Sequence, residues 1–385
     1  MDVKTKMTLR IGLNARYAQR GRTGIENYVI NLVDNLGVID KENQYLLFQC
    51  NYKPQANIPV RENVQSFISR FPTGPLLLRL FWEHVVLFFE IRKKQVDVFH
   101  GPSMVLPLFK PRSCKYVVTI LDISNTKYPE AYTFFTRLYL HLFVYLAQKK
   151  ADKIIVISES TKKDLIEYYK VNPQKIDVTY LAASSEFKPI SDREKLEEVK
   201  AKYNLPDKFI LFIGLLNPRK NVRRLILAFQ KIMDKAPSYH VVIVGKKGWL
   251  FDEIFKEVND QKLEKRVIFT GYVQQEDLPV FYNLASVFAF PSLYEGFGIP
   301  ILEAMSCGCP VLTSNVSSMP EVAGNAGLLV NPTSVEEIAA GILKLLLDDA
   351  LRKDFIQKGF VQVRRFSWKK CAHDTLDVYR SVVMK

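Results

Sequence analysis

Short runs of β-branched and aromatic residues alternate with longer amphipathic stretches along this chain, and the alternation runs through twice. In the first half the strand-like runs are Leu9–Leu13, Tyr45–Gln49, Val96–His100, Tyr116–Ile120 and Lys153–Ile157. The helix-like stretches between or after them are Gly24–Leu36, Leu78–Lys94, Tyr132–Lys149 and Ser160–Tyr169. In the second half strands are expected at Phe209–Ile213, His240–Val244, Val267–Thr270, Val287–Phe290, Val311–Thr313 and Leu328–Leu329. Helices are expected there at Val222–Lys235, Trp249–Leu263, Glu276–Leu284, Pro300–Cys307 and Val335–Asp349. Strand followed by helix, repeated, implies a parallel sheet covered on both faces. The fold class is therefore α/β, with two facing, doubly wound, Rossmann-like domains. In such an arrangement a cleft lies between the carboxyl ends of the two sheets, where loops and helix N-termini converge on a ligand. The boundary is expected near Phe187-Lys188-Pro189-Ile190-Ser191, between a strand and the charged, helix-favouring run Asp192–Lys202. That gives an N-terminal domain over 1–188 and a C-terminal domain from 189.

Composition excludes several classes. With 48% hydrophobic and 24% charged residues, disorder is not the default. The start, Met1 to Arg10, is charged, so no signal peptide is expected. No apolar stretch is long enough to span a bilayer: Gly74–Ile91 is broken by Arg79, Glu83 and Glu90, and Phe134–Ala147 contains Arg137 and His141. Five cysteines, Cys50, Cys114, Cys307, Cys309 and Cys371, suit a reducing cytosol better than a disulfide framework. Cys307 and Cys309 have no second pair, so no metal site is expected. Residues 1–190 hold 27 Lys and Arg against 17 Asp and Glu, which is +10 of the total +14. A basic half attracts phosphates or anionic headgroups. Nucleic acid is a poor choice, since there is no zinc finger, aromatic RNP pattern or basic heptad region.

The most informative segment runs from Pro291 to Pro310, Pro-Ser-Leu-Tyr-Glu-Gly-Phe-Gly-Ile-Pro-Ile-Leu-Glu-Ala-Met-Ser-Cys-Gly-Cys-Pro. It follows a buried strand. Glycines in Glu295-Gly296-Phe297-Gly298 let backbone approach a ligand closely. Pro300 suits the first helical position and Gly308 the position after the helix. The loop thus offers backbone N–H groups at a helix N-terminus, an anion site suited to a pyrophosphate. Glu295 and Glu303, eight residues apart, can reach opposite ends of one extended ligand. Their plain alternatives are a helix cap and a solvated helix face.

This segment resembles the Glu-x7-Glu signature of the family 4 (group 1) retaining glycosyltransferases, which have the GT-B fold. The resemblance extends over nearly the whole chain. Gly214-Leu-Leu-Asn-Pro-Arg-Lys-Asn221 looks like the family's phosphate-binding stretch, and Phe269-Thr-Gly-Tyr-Val273 like its base-contacting loop. Thr313–Gly324 is similar to a mannosyltransferase-like branch. Thr23-Gly-Ile-Glu-Asn-Tyr28 resembles the first, glycine-bearing loop, and Asp97-Val-Phe-His-Gly-Pro102 also has a counterpart. Phe366-Ser-Trp-Lys-Lys370 resembles the segment that leads the last helix, within 366–385, back to the N-terminal domain, which ends the C-terminal domain at 365. One departure stands out: Thr119-Ile120-Leu121-Asp122 has leucine where the relatives usually carry histidine. A task of that imidazole is lost, whereas a task of the backbone carbonyl survives the change.

The resemblance implies a hexosyl transfer, mannose favoured, from a nucleotide diphosphate sugar, GDP-mannose favoured, to a glycan or lipid-linked acceptor, with retention of configuration. The expected donor-binding residues are Gly24, Arg219, Lys220, Val273, Gly296, Phe297, Gly298 and Glu303. Glu295, Asp122 and His100 are the expected catalytic residues, with Glu295 on donor-sugar hydroxyls and the other two lining the sugar or acceptor side. Taken alone, Gly24 before a helix is equally an ordinary turn, and a lone His is more often structural. No Asp-x-Asp occurs, so Arg219 and Lys220 are expected to replace a metal on the diphosphate, and no cofactor is needed beyond the sugar nucleotide. A weak or inactive sugar-nucleotide-binding member is the alternative that Leu121 raises. A dinucleotide enzyme is disfavoured by the missing Gly-x-Gly-x-x-Gly, and a sugar-phosphate epimerase by the Glu-x7-Glu context. The expected location is the cytoplasm, peripheral on an inner membrane face: Leu76–Phe89 is followed by Arg92-Lys93-Lys94, and Phe134–Leu146 by Lys149-Lys150. The alternative is that both segments are core helices with solvated ends.

Overall fold

The computed structural model describes residues 8–19, 24–51, 61–246, 248 and 251–384. Thr23, and Trp249 at the start of one expected helix, lie outside the described residues, as do the first seven residues.

The chain divides into two compact units. The first comprises Met1–Ile123, Phe134–Leu181 and Trp368–Lys385, and the second Ser124–Thr133 and Ala182–Ser367. The division thus falls at 181/182 and 367/368, beside the expected 188/189 and 365/366. Ser124–Thr133, inside the first half of the sequence, clusters with the second unit.

The first unit is built on seven parallel strands: β1 (Arg10–Asn14), β2 (Gln44–Asn51), β3 (Val64–Pro72), β4 (Val98–Gly101), β5 (Lys115–Ile120), β6 (Lys153–Val156) and β7 (Ile176–Val178). Their order is β3-β2-β1-β4-β5-β6-β7, so the winding reverses between β1 and β4. β1 is in register with β2 through Arg10↔Gln44 and with β4 through Ile11↔Val98. Ile11, Leu13, Leu47, Phe99, Val117 and Val118 are fully buried, as central strands covered on both faces require. Each such side chain contributes about 1.5–3 kcal/mol by leaving water.

The second unit has six parallel strands, β8 (Phe209–Ile213), β9 (His240–Val244), β10 (Val267–Gly271), β11 (Val287–Phe290), β12 (Val311–Ser314) and β13 (Gly327–Val330). The order β10-β9-β8-β11-β12-β13 reverses between β8 and β11. Helices Val222–Ile232, Ile299–Ser306 and Val335–Leu347 pack on this sheet with Leu225, Phe229, Ile301 and Ile342 fully buried. The charged run near the boundary is a helix, Arg193–Lys202, whose first turn is capped by the Asp192 carboxylate accepting from Lys195 N at 3.1 Å.

The sequence places one helix over Leu78–Lys94. The structure has Leu76–Phe81, a π-helical turn Trp82–Val86, and Leu87–Lys93. The extra residue in that turn accompanies an inward Glu83, whose carboxylate accepts from Asn14 Nδ2 at 2.8 Å and pairs with Arg16. Among the described residues no helix is long and apolar enough to cross a membrane.

Candidate functional site

The second unit's winding reverses between β8 and β11, and the loops after these two strands meet. After β8 the chain makes a tight turn, Pro218–Lys220, capped by Asn217, whose side-chain oxygen accepts from Lys220 N at 3.2 Å. Asn221 follows with φ +60 and ties the turn to its surroundings, donating from Nδ2 to the Pro291 carbonyl at 2.9 Å and the Pro332 carbonyl at 2.7 Å. The turn presents Arg219 and Lys220 side by side towards the loop after β11.

Glu295 receives both. Lys220 Nζ donates to its Oε1 at 2.7 Å, and Arg219 Nη1 lies 3.1 Å from its Oε2. Arg219 also donates to the Tyr294 carbonyl, and its own carbonyl accepts from Leu293 N at 2.8 Å. Lys220 Nζ stands 4.8 Å from the centroid of the Phe290 ring. Burial opposes ionisation of Glu295, but the Arg219 guanidinium and the Lys220 ammonium outweigh it and hold the carboxyl at about 2. The carboxylate therefore persists at every physiological pH. Its contribution to stability is complete above the ordinary glutamate range and is lost as pH falls towards 2.

The Glu295 loop is fastened through its backbone. Ser317, itself at φ +57, donates from Oγ to the Glu295 carbonyl at 2.6 Å. Ser318 Oγ lies 2.9 Å from the same carbonyl and 2.8 Å from that of Phe297. The Phe297 ring is buried and meets Phe366 edge-on at 5.7 Å. Gly298, at φ +102, is the N-cap of the helix Ile299–Ser306, so Pro300 is its second residue rather than its first. Gly308, at φ +75, follows the helix end as expected. The positive end of this helix thus opens three residues after Glu295, the residue that both cations hold.

Glu303 sits one turn into the helix, half-buried, with Oε2 accepting from the Tyr282 hydroxyl at 2.9 Å. Burial pushes its carboxyl up to about 7, the Tyr282 hydrogen bond opposing and the charge of Glu186 adding. The two glutamates are therefore tuned in opposite directions, one locked as a carboxylate and one poised near neutrality. Val273, two residues past Gly271 at φ +71, is buried, while its neighbour Tyr272 is exposed with Lys246 Nζ 4.3 Å from its ring centroid.

The remaining expected residues belong to the first unit. Gly24 is the exposed first residue of the helix Gly24–Ile39, and a Cβ added there meets nothing within 4 Å. Asp122 is half-buried just after β5. The Leu121 carbonyl beside it accepts from Thr161 Oγ1 at 3.5 Å. His100, expected on the sugar or acceptor side, is enclosed within the first unit. It is 0% exposed, with Nδ1 2.6 Å from the Tyr379 hydroxyl and Nε2 2.7 Å from Thr119 Oγ1, which in turn lies 2.9 Å from the Tyr28 hydroxyl. Burial lowers its pKa to about 3, so it stays neutral. Both nitrogens are spent on tying β4 and β5 to the helices Gly24–Ile39 and Trp368–Val383.

The structure thus joins Arg219, Lys220 and Glu295 directly, and places Gly296, Phe297, Gly298 and Glu303 along the same loop and helix. Sequence reasoning missed Asn217, Asn221, Ser317, Ser318 and Tyr282. Asn217, Asn221 and the two serines lie within segments already singled out, but Tyr282 carries no signal of its own.

Two family models match the chain: Glycosyltransferase Family 4 over residues 22–186 and Glycosyl transferases group 1 over residues 192–362. The O-antigen chain mannosyltransferase B of Escherichia coli is 34% identical over 370 residues, covering 93% of this chain and 96% of that protein. The serotype-specific mannosyltransferase WbdA of Escherichia coli is 35% identical over 229 residues, 58% of this chain but 28% of that longer protein. A solved sucrose-phosphate synthase from Thermosynechococcus elongatus superposes with a TM-score of 0.78 at 23% identity, covering 97% of this chain and 99% of that one, a likeness that bears on the fold.

Proposed function

The chain belongs to the group 1 glycosyltransferases, and on that premise we propose that it moves a mannosyl residue from GDP-mannose to a glycan or lipid-linked acceptor in cell-surface polysaccharide synthesis. The observation that carries this reading is the Arg219–Glu295–Lys220 cluster at the β8/β11 reversal: two cations and one carboxylate beside a helix N-terminus. The donor's diphosphate competes with Glu295 for these cations. As it binds, the Glu295 carboxylate turns to the hydroxyls of the donor sugar. The bond from the anomeric carbon to the diphosphate breaks as the acceptor oxygen bonds to the same face of that carbon. The departing phosphate oxygen takes the acceptor's proton, so configuration is retained. Preorganised positive charge on the leaving group is the main catalytic contribution. Glu303 accepts from the ribose, the backbone near Val273 meets the base, and Gly24 and Asp122 serve the sugar and acceptor side. The name of the relative that matches along nearly the whole chain supports mannose and an active enzyme over an inactive one.

No metal or other cofactor is needed, because Arg219 and Lys220 supply the charge that a metal would. Transfer of labelled mannose from GDP-mannose therefore proceeds at an undiminished rate in EDTA. Activity lost in EDTA and restored by magnesium or manganese contradicts this. A thermal-shift panel identifies the donor: at 100 times its Kd the right sugar nucleotide stabilises the protein by about 2.7 kcal/mol.

Glu303 gives a pH signature. A ribose hydroxyl donates more strongly to the carboxylate than to the protonated acid, and burial holds the carboxyl at about 7. Donor affinity rises about tenfold between about pH 6 and about pH 8, and Glu303→Gln abolishes the rise. A pH-independent Kd in the unmodified protein overturns the assignment.

We also place the protein in the cytoplasm, peripheral on an anionic membrane face through its basic first half, where a lipid-linked acceptor resides.

A further inference from the structure

The helix Phe134–Lys150 is an anomaly. Its 17 residues include no acidic side chain, and its sequence, Phe-Phe-Thr-Arg-Leu-Tyr-Leu-His-Leu-Phe-Val-Tyr-Leu-Ala-Gln-Lys-Lys, is apolar on most faces. Such a helix is normally enclosed. Here Val144, Ala147 and Gln148 are its only buried residues. Phe134, Phe135, Leu138, Leu142 and Tyr145 are exposed, Phe135 at 81%, and their spacing places all five on one face.

The surface continues past the helix. His84, in the π-helical turn, stacks on Phe143 with ring centroids 4.1 Å apart, and its carbonyl accepts from Leu108 N at 2.8 Å. Lys150 Nζ donates to the Leu108 carbonyl. These contacts join three segments into one layer, and Phe88 bridges Phe89 and Phe109 at 5.1 and 5.8 Å. Phe89, Phe109, Phe81 and Leu77 are exposed as well.

The charges beside the exposed aromatics are positive, and Asp152 at the edge of the layer is paired with Lys110. The Arg137 guanidinium lies 5.9 Å from the Phe134 ring centroid and Lys149 Nζ 5.7 Å from that of Tyr145, so cations stand beside the exposed aromatics. The two acids of the segment 76–93 are turned away: Glu83 is buried against Asn14 and Arg16, and Glu90 accepts from Ser69 and Trp82.

We propose that this layer docks on an anionic lipid bilayer, with Phe134, Phe135, Leu138 and Leu142 at the headgroup–acyl boundary and Arg137 and Lys149 on lipid phosphates. The proposal rests on the peripheral attachment above and assigns it a face and a depth. A second copy is disfavoured as occupant, because a two-fold contact across the stripe brings the Arg137 and Lys149 cations of one copy towards those of the other with no acid on the helix to pair with them.

Flotation of the full chain tests it, with vesicles of phosphatidylcholine alone and of phosphatidylcholine with about a third phosphatidylglycerol. The protein floats with the anionic vesicles only and comes off as salt rises. The double variant Phe135→Ser, Leu138→Ser loses flotation at low salt by about tenfold or more, whereas Arg137→Gln with Lys149→Gln shifts release to lower salt. Both double variants keep the wild-type rate of mannosyl transfer to a soluble acceptor, which shows that they are folded. Equal behaviour with both vesicle types, or flotation untouched by the Phe135 and Leu138 changes, overturns the docking face. A dimer that those changes dissociate, with no flotation, overturns it too. Flotation as expected without transfer from any sugar nucleotide counts instead against the catalytic reading.

Discussion

Lys220→Ala lowers the turnover of mannosyl transfer about 10²–10³-fold, equivalent to about 3–4 kcal/mol of transition-state stabilisation. The size follows from the setting. Lys220 Nζ is held 2.7 Å from Glu295 and 4.8 Å from the Phe290 centroid, and its side chain is 13% exposed, so its charge is preorganised and poorly screened. In the transition state the developing charge resides on the leaving diphosphate, and the ammonium meets it at no cost of reorganisation. The loss falls on kcat more than on the Kd of GDP, because the ground-state diphosphate still has Arg219. The fold survives, since Glu295 retains its 3.1 Å contact with Arg219 and is not left as an unpaired buried charge. Lys220→Arg restores part of the rate. Wild-type kinetics in Lys220→Ala refute the site, whereas loss of the thermal transition marks a folding defect that the arginine variant distinguishes from chemistry.

The contrast between what was legible in the sequence and what was not has physical causes. His240–Val244 and Val287–Phe290 are located to the residue because central parallel strands are apolar on both faces. β3, Val64–Pro72, was missed because it is an edge strand with mostly exposed side chains, and β7 because three residues, Ile-Asp-Val, carry no period. The helix Asp349–Val363 was missed for a related reason: Phe355, Gly359 and Gln362 are its only buried residues, so there is little apolar stripe to read. At the site, Arg219, Lys220 and Glu295 announce themselves because charge next to glycine-rich loops is costly without a ligand or a partner. Ser317 and Ser318 do not, because they act on backbone carbonyls, which have no sequence. His100 is ambiguous in sequence because a strand-terminal histidine looks alike whether its ring meets substrate or packs, as here, against Tyr379 and Thr119.

The least visible requirement is at Gly245, where Gly245→Ala is expected to cost about 3–5 kcal/mol in urea unfolding, a size reserved for backbone conflicts and core cavities. Gly245 ends the run of β9 at φ +154, and a Cβ there falls 1.9 Å from the Gly214 carbonyl oxygen and 2.8 Å from its carbon. Neither partner can swing aside. Gly214 N donates to the Val244 carbonyl at 2.9 Å and Gly245 N to the Gly271 carbonyl at 2.9 Å, so the methyl meets backbone fixed from both sides. Relief requires moving Gly214–Leu216, the segment that leads into the Asn217-capped turn carrying Arg219 and Lys220. Stability and donor affinity therefore fall together, although Gly245 is assigned no contact with the donor. Gly271→Ala is the matched control. It stands at φ +71 with nothing within 4 Å of an added Cβ, so it bears only the left-handed backbone penalty, about 1–2 kcal/mol, and leaves Gly214–Leu216 in place. If the two alanine variants unfold at the same urea concentration, close backbone packing beneath the Asn217-capped turn is not what glycine provides at position 245.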